Sequence, residues 1–178
     1  MADDTRFEWF ADTMGVRAGE RVLELGPGSG ASLTRLAARL GTGRIVGVDR
    51  SATALARAER RCAAEIAAGR VRLVEGEVAK VGPARLLAGL DPGDRFDLVF
   101  AVNVNLFWTG PATTAWSTVR ECLAPTGRFW LCYGYGYGAT DSPTPPIAQL
   151  TERFAAAGYQ CTTVTTDALL AARATPLT

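Results

Sequence analysis

Apolar residues along this chain fall into two alternating spacings. Short dense runs occupy Arg21–Leu25, Arg44–Asp49, Val71–Glu75, Phe96–Val102, Arg128–Cys132 and Tyr159–Val164. Between them, apolar positions recur every three or four residues. Phe7, Phe10 and Met14 form one stripe, and Leu33, Leu36, Ala37 and Leu40 form another. Ser51–Ala68, Pro83–Leu90, Pro111–Leu123 and Ile147–Ala157 also read as helices. Dense runs alternating with helical stripes predict an α/β fold around a parallel sheet. Phe96–Val102 is nearly all apolar, as a central strand covered on both faces should be. Gly15, Gly69 and Gly158 stand where helices should stop, and Ala124-Pro125-Thr126-Gly127 reads as a tight turn. Asp167–Ala174 fits either a helix or a last short strand.

The first dense run breaks into glycines at alternating positions: Glu24-Leu25-Gly26-Pro27-Gly28-Ser29-Gly30. A strand, a glycine turn and a helix open a nucleotide-binding unit, because glycine lets the backbone lie against a ligand and the helix start offers free N–H groups. Such a turn alone can simply close a corner. Asp49, however, ends the second strand nineteen positions after Gly30, close to the spacing of about 20 expected of a ribose-binding acid. Asp49 could instead cap the helix beginning near Ser51. Gly76-Glu77-Val78 follows the third strand and belongs to the same wall, since ligands bind outside the carboxyl ends of strands in open α/β sheets.

Composition narrows the chemistry. The chain has 178 residues, 48% of them hydrophobic and 21% charged, with a net charge of +1. One domain is expected, residues 1–178, with residues 1–19 as a short helical cap. A near-zero charge gives no footprint for nucleic acid. There is no histidine, which excludes a Ser-His-Asp triad and any His-ligated metal. Cys62, Cys122, Cys132 and Cys161 lie far apart and read as small core residues. An acidic start and the lack of a long apolar run give no expectation of a membrane span, and a cytoplasmic location is expected.

Taken together, these motifs resemble the class I S-adenosylmethionine-dependent methyltransferases, from about Gly15 to the C-terminus. Glu24–Gly30 is similar to the family's E-x-G-x-G-x-G motif. Asp49 matches its second acidic position, and Gly76-Glu77 stands where Gly-Asp is usual. Phe96-Asp97-Leu98-Val99 looks like the strand entering the reaction centre. Leu123–Arg128 resembles the L-x-P-G-G-x turn, with Thr126 in place of the first glycine. The alternating glycines differ from the G-x-G-x-x-G of dinucleotide folds, which seats a pyrophosphate.

The resemblance implies a Rossmann-like three-layer sandwich with a mostly parallel seven-stranded sheet, its last strand antiparallel beside the fifth. That assigns Asp167–Ala174 to a strand. It also implies S-adenosylmethionine as cofactor and S-adenosylhomocysteine as product. Glu24, Gly26, Pro27, Gly28 and Gly30 would serve the methionine part, with Glu24 near its ammonium. Asp49 would hold the ribose, Arg50 would lie beside the adenine, and Glu77 and Val78 would meet the adenine edge. Asn103 would lie near the methyl group. Glu77 is one methylene longer than the usual aspartate, so it must fold back or shift the turn.

A sulfonium methyl is already electrophilic, so placing a nucleophile and excluding water are the main tasks. Asp141, Glu77 and the tyrosines at 133, 135 and 137 are the available proton acceptors, and none is assigned as catalytic. Phe7, Trp9 and Phe10, then Asn105, Phe107 and Trp108, then Tyr133 and Tyr135 are the candidate substrate walls. The aromatics near the N-terminus are read first as packing, and they could still cover one edge of the cleft. This aromatic, near-neutral set favours a small, partly apolar molecule as partner over nucleic acid. Two other functions stay open: a non-methylating cyclisation or rearrangement on the same cofactor, and a non-catalytic partner subunit. The oligomeric state is not readable.

Overall fold

A computed structural model describes residues 5–136 and 144–177. The elements follow in the order α1 (Thr5–Met14), β1 (Arg21–Leu25), α2 (Ala31–Leu40), β2 (Arg44–Asp49), α3 (Ala52–Arg61), α4 (Ala63–Ala67), β3 (Val71–Glu75) and α5 (Pro83–Leu87). They continue with β4 (Phe96–Val102), α6 (Leu106–Thr109), α7 (Thr113–Cys122), β5 (Leu123–Tyr133), α8 (Ile147–Ala156), β6 (Tyr159–Thr165) and β7 (Leu170–Pro176). The seven strands form one sheet in the order β3-β2-β1-β4-β5-β7-β6. Pairings from β3 across to β5 are parallel, and β7 runs antiparallel to both β5 and β6. The last strand therefore stands where the family resemblance places it.

Successive side chains on a strand point to opposite faces, and here both faces are covered. Val99 and Ala101 join Phe129, Leu131, Trp116 and Phe154 in the core under α5 to α8. Leu98 and Phe100 turn the other way and pack with Trp130, Phe10, Met14 and Leu36 beneath α1 and α2. This two-sided burial explains the near-unbroken apolar run of β4. Among the described residues, no helix is long and apolar enough to cross a membrane.

Three local expectations change, and one short helix is added. The Ser51–Ala68 helix breaks at Cys62, which has φ −98° and ψ 18°. Alanine favours helix throughout that stretch. The break lies at a tertiary contact, where the buried Cys62 Sγ sits 3.7 Å from Gly30 O. Ala124–Gly127 lies inside β5 as a bulge: Phe96 already pairs with Leu123, and Leu98 next pairs with Arg128. Asn105 starts a short helix, α6, with Thr109 N–H donating to its carbonyl at 3.1 Å. Finally, α7 begins at Thr113 and not at Pro111, because Ala112 is left-handed at φ 47°.

The amino ends of β1 and β4 are locked by an ion pair. Asp97 Oδ2 accepts from Arg21 N at 2.8 Å and from Arg21 Nε at 3.0 Å, and Oδ1 accepts from Arg21 Nη2 at 2.9 Å. Hydrogen bonding from Arg21 holds the Asp97 carboxyl below the usual carboxylate range. A depressed folded pKa means that this stabilisation is complete above the ordinary carboxylate pKa and is lost as pH falls through the folded value. Asp97→Ala is expected to lower unfolding stability by about 1–3 kcal/mol, the range for unpairing a partly buried charged group. Urea denaturation at neutral pH checks this, and the deficit should shrink at acid pH.

Candidate functional site

Loops at the carboxyl ends of β1 to β4 converge on one cleft. Those after β1, β3 and β4 each continue the ladder for one more bond. Gly26 N–H donates to Val48 O at 2.8 Å, Gly76 N–H to Asp49 O at 2.9 Å, and Asn103 N–H to Cys132 O at 2.8 Å. The cleft holds about 500 Å³ and is walled by Gly26, Val48–Arg50, Gly76–Ala79 and Val102–Leu106. Of the predicted cofactor residues, Gly26, Asp49, Arg50, Glu77, Val78 and Asn103 stand on that wall.

The turn after β1 supplies the floor. Gly26 (φ 75°) approaches so closely that a Cβ would lie 2.8 Å from Val104 Cγ2, while the space beside Gly28 (φ 54°) is open. Pro27 packs over Gly47 of β2, and Gly30 seats the start of α2 against Ala58 of α3. Glu24 lies under this turn, fully buried. Its Oε1 accepts from Ser32 Oγ at 2.5 Å, and its Oε2 has no partner. Burial pushes its pKa up to about 8, opposed by the Ser32 bond and reinforced by the Asp49 charge. An orphaned carboxylate oxygen beneath open glycine backbone fits a ligand ammonium.

Asp49 holds the turn in place. Its Oδ2 accepts from Gly28 N–H at 3.0 Å and its Oδ1 from Ser51 N–H at 2.9 Å. Ser51, not Asp49, caps α3, accepting from Ala54 N–H at 3.2 Å. Each carboxylate oxygen has a further lone pair, so the acid retains capacity for ribose hydroxyls. Glu77 directs its longer side chain sideways to Lys80 Nζ at 2.9 Å.

Asn103 stands on the cleft wall and also holds the end of β5. It is left-handed at φ 56°, sparsely populated for any residue but glycine. Its amide clamps Gly134 at the end of β5: Nδ2 donates to Gly134 O at 3.2 Å and Oδ1 accepts from Gly134 N–H at 2.8 Å. Arg6 Nη1 reaches the same carbonyl at 3.3 Å, and its guanidinium lies over the Tyr135 ring, 5.3 Å from the centroid.

The predicted substrate residues divide. Asn105 lines the cleft, beside Leu106, which sequence reasoning missed. Trp108 donates its indole N–H to Asn105 Oδ1 at 3.2 Å. Tyr135 is 44% exposed. Two aromatic assignments need correction. Phe107 is buried edge-on against Trp116 and Phe129, and the Tyr133 ring is buried with its hydroxyl donating to Val104 O at 3.0 Å. Both rings belong to the core in this structure, and burial raises the Tyr133 phenol above its ordinary pKa, so it is no base. Phe7 and Phe10 are core as well, and Trp9 is half-buried edge-on to Phe10. Tyr137 and Asp141 lie outside the described residues. Ser32 and Arg6 were also missed. Ser32 carries no signal beyond its place in the first turn of α2, and Arg6 acts across 128 positions of sequence.

A family model described as a methyltransferase domain matches residues 22–127, the segment containing this cleft. The chain belongs to the class I S-adenosylmethionine-dependent methyltransferase family. Solved structures agree in fold. A methyltransferase from Aquifex aeolicus superposes with a TM-score of 0.71 at 15% identity, covering 94% of this chain and 88% of its own. The glycopeptide N-methyltransferase MtfA gives 0.70 at 17%, covering 98% and 90%. Fibrillarin from Aeropyrum pernix, with natively bound S-adenosylmethionine, gives 0.68 at 18%, covering 93% and 72%. No curated protein sequence matches the chain. The cofactor of this methyltransferase domain is S-adenosylmethionine, and the open glycine turn over the orphaned Glu24 oxygen suits its amino-acid end.

Glu24 is expected to make the domain's stability pH-dependent. A raised folded pKa in an acid means that the folded state binds more protons than the unfolded one between about 4.5 and about 8, so stability falls as pH rises through that window. A tenfold difference in proton affinity between the two states is worth about 1.4 kcal/mol. Glu24→Gln keeps an acceptor for Ser32 and removes the charge. It should flatten the decline in melting temperature between about pH 5 and 9, as read by circular dichroism. An unchanged slope would remove Glu24 as its source.

Proposed function

We propose that the domain transfers the methyl group of S-adenosylmethionine to a small, partly apolar or aromatic molecule. The charge distribution of the cleft carries this reading. Asp49, Arg50 and Glu77 cluster at the β2 and β3 side, whereas the wall from Val102 to Leu106 has no charged side chain. A neutral acceptor side suits a neutral, partly apolar acceptor, with Leu106 giving contact area and Asn105 giving polarity. The Asn105 oxygen already accepts from Trp108, which leaves its amide N–H groups as donors.

The cofactor, when bound, supplies a methyl group already activated by the sulfonium charge. The chain's own residues bind and orient. Glu24 and the backbone of Gly26 and Gly28 would take the amino-acid end, Asp49 the ribose, and Glu77 with Val78 the adenine edge. Asn103 would act on the reaction by holding the ends of β4 and β5 together, so that the acceptor side keeps its geometry. No described side chain at that end is a competent base, so the acceptor atom would ionise by its own acidity, as an acidic phenol does, or release its proton to water.

Two measurements test the proposal. Calorimetry should detect binding of S-adenosylmethionine and S-adenosylhomocysteine, and Asp49→Ala should weaken both by about 1–3 kcal/mol, the loss expected for a charged hydrogen-bond partner. Mass spectrometry of neutral phenolic or amine acceptors should then find a gain of one methyl. Heat without any methylated product would favour a rearrangement of the bound substrate at constant mass. Absence of binding to either ligand would leave only the non-catalytic subunit.

A further inference from the structure

The hydrogen bond between Ser32 and Glu24 closes the base of the glycine turn. Ser32 Oγ donates to Glu24 Oε1 at 2.5 Å from eight positions along the chain, and both residues are buried. A buried acid therefore stands at the root of the turn whose Gly26 lines the cleft. Glu24 also shares its side of the sheet with the second acid of the floor. It pairs in register with Gly47, and alternate residues of a strand share a face. Its side chain thus leaves the sheet on the same side as that of Asp49, which lines the cleft.

The groups around Glu24 favour its neutral form. β2 brings Asp49, whose charge raises the Glu24 pKa, and α2 brings the hydroxyl of Ser32. α3 brings the Cys62 thiol and β5 the Cys132 thiol, and the Glu24 charge adds to the burial that pushes both thiols up. Among the described residues, the charge that acts on Glu24 is that of Asp49. Glu24 Oε2 has no partner. A buried acid with one hydroxyl partner and a carboxylate nearby is held protonated by its surroundings. The neutral carboxyl keeps the Ser32 bond, because Oε1 still accepts when Oε2 carries the proton. With its pKa pushed up to about 8, Glu24 is mostly protonated in the free protein at neutral pH. A cation brought to the turn reverses this balance, since opposite charge favours the ionised form. Direct contact is not required. Asp49 on the cleft wall already acts on Glu24 through charge, and a ligand charge at the same floor acts by the same route.

We propose that Glu24 links cofactor binding to proton release: the ammonium of the cofactor's amino-acid end, seated at the glycine turn, drives the Glu24 proton out to solvent. The Oε2–H bond breaks, the carboxylate keeps the electron pair, and the proton passes to the buffer. Ser32 then donates to an ionised carboxylate. The inference rests on the glycine turn taking the amino-acid end, as in the proposed function.

Calorimetric titration in buffers of different ionisation enthalpy counts the protons released. S-adenosylhomocysteine and 5′-methylthioadenosine are the probes, because both are thioether nucleosides and only the first carries the amino-acid end. With the full chain near pH 7, S-adenosylhomocysteine should release about one proton and 5′-methylthioadenosine close to none. Affinity for S-adenosylhomocysteine should rise by up to about tenfold per pH unit on the acid side of about 8 and level off above it. Glu24→Gln should still bind S-adenosylhomocysteine and release no proton. Should Glu24→Gln fail to fold, Ser32→Ala serves. It removes the hydroxyl that favours the ionised form, so the pH at which release fades should move up, and an unmoved pH would overturn the proposal. Binding of S-adenosylhomocysteine without proton release overturns it, as does release that Glu24→Gln retains or that 5′-methylthioadenosine equals. No binding of S-adenosylhomocysteine at all would instead overturn the cofactor placement on which the inference rests.

Discussion

Asp49 adds a shared set of bonds to three loops that the adjacent strands β1, β2 and β3 bring together. Its carbonyl accepts from Gly76 N–H, and its two carboxylate oxygens accept from Gly28 and Ser51. The turn after β1, the start of α3 and the turn after β3 are thereby set relative to one another by a single residue at the end of β2. Backbone N–H groups must be satisfied wherever they are shielded from water, and here one acid satisfies that of Gly28 in the floor and that of Ser51 beside it. A carboxylate suits this position because it accepts along several directions at once. The same residue lines the cleft, so on the proposed function the fold's scaffold and its binding surface coincide there.

Much of the architecture is legible in the order of apolar runs. Phe96–Val102 reads as central because its side chains face cores on both sides, and Leu33–Leu40 reads as a helix because one stripe is buried. The discrepancies have tertiary causes. Cys62 leaves helical geometry where α3 meets Gly30, which an alanine-rich stretch cannot announce. Ala124–Gly127 has turn chemistry, yet Leu123 already pairs with Phe96, so the turn becomes a bulge within β5. The final strand could not be told from a helix by composition, and family resemblance decided it.

The site was legible where chemistry demands particular backbone. Glycines, terminal acids and their spacing marked the floor and the β2 and β3 walls. Aromatic residues were less informative. Phe107 and Trp108 are adjacent, but a short helical turn sends one into the core and holds the other near Asn105. Tyr133 and Tyr135 are separated by the strand's end, and only the second is exposed. Which face a ring occupies depends on packing partners distant in sequence, such as Trp116 for Phe107 and Val104 for Tyr133. Asn103 stands on the cleft wall, and the bonds of its amide to Gly134 could not be foreseen from the sequence.

The Asn103–Gly134 clamp has a consequence for how changes in such a domain would act. It ties β4 to the end of β5 and thus to the strand that β7 flanks, so the acceptor side rests on a frame distinct from the Asp49-centred floor. Arg6 adds to that frame, donating to Gly134 O at 3.3 Å with its guanidinium over the Tyr135 ring. On the proposed function, a change at the Asn103–Gly134 clamp and a change at the Asp49-centred floor would therefore act through separate sets of bonds.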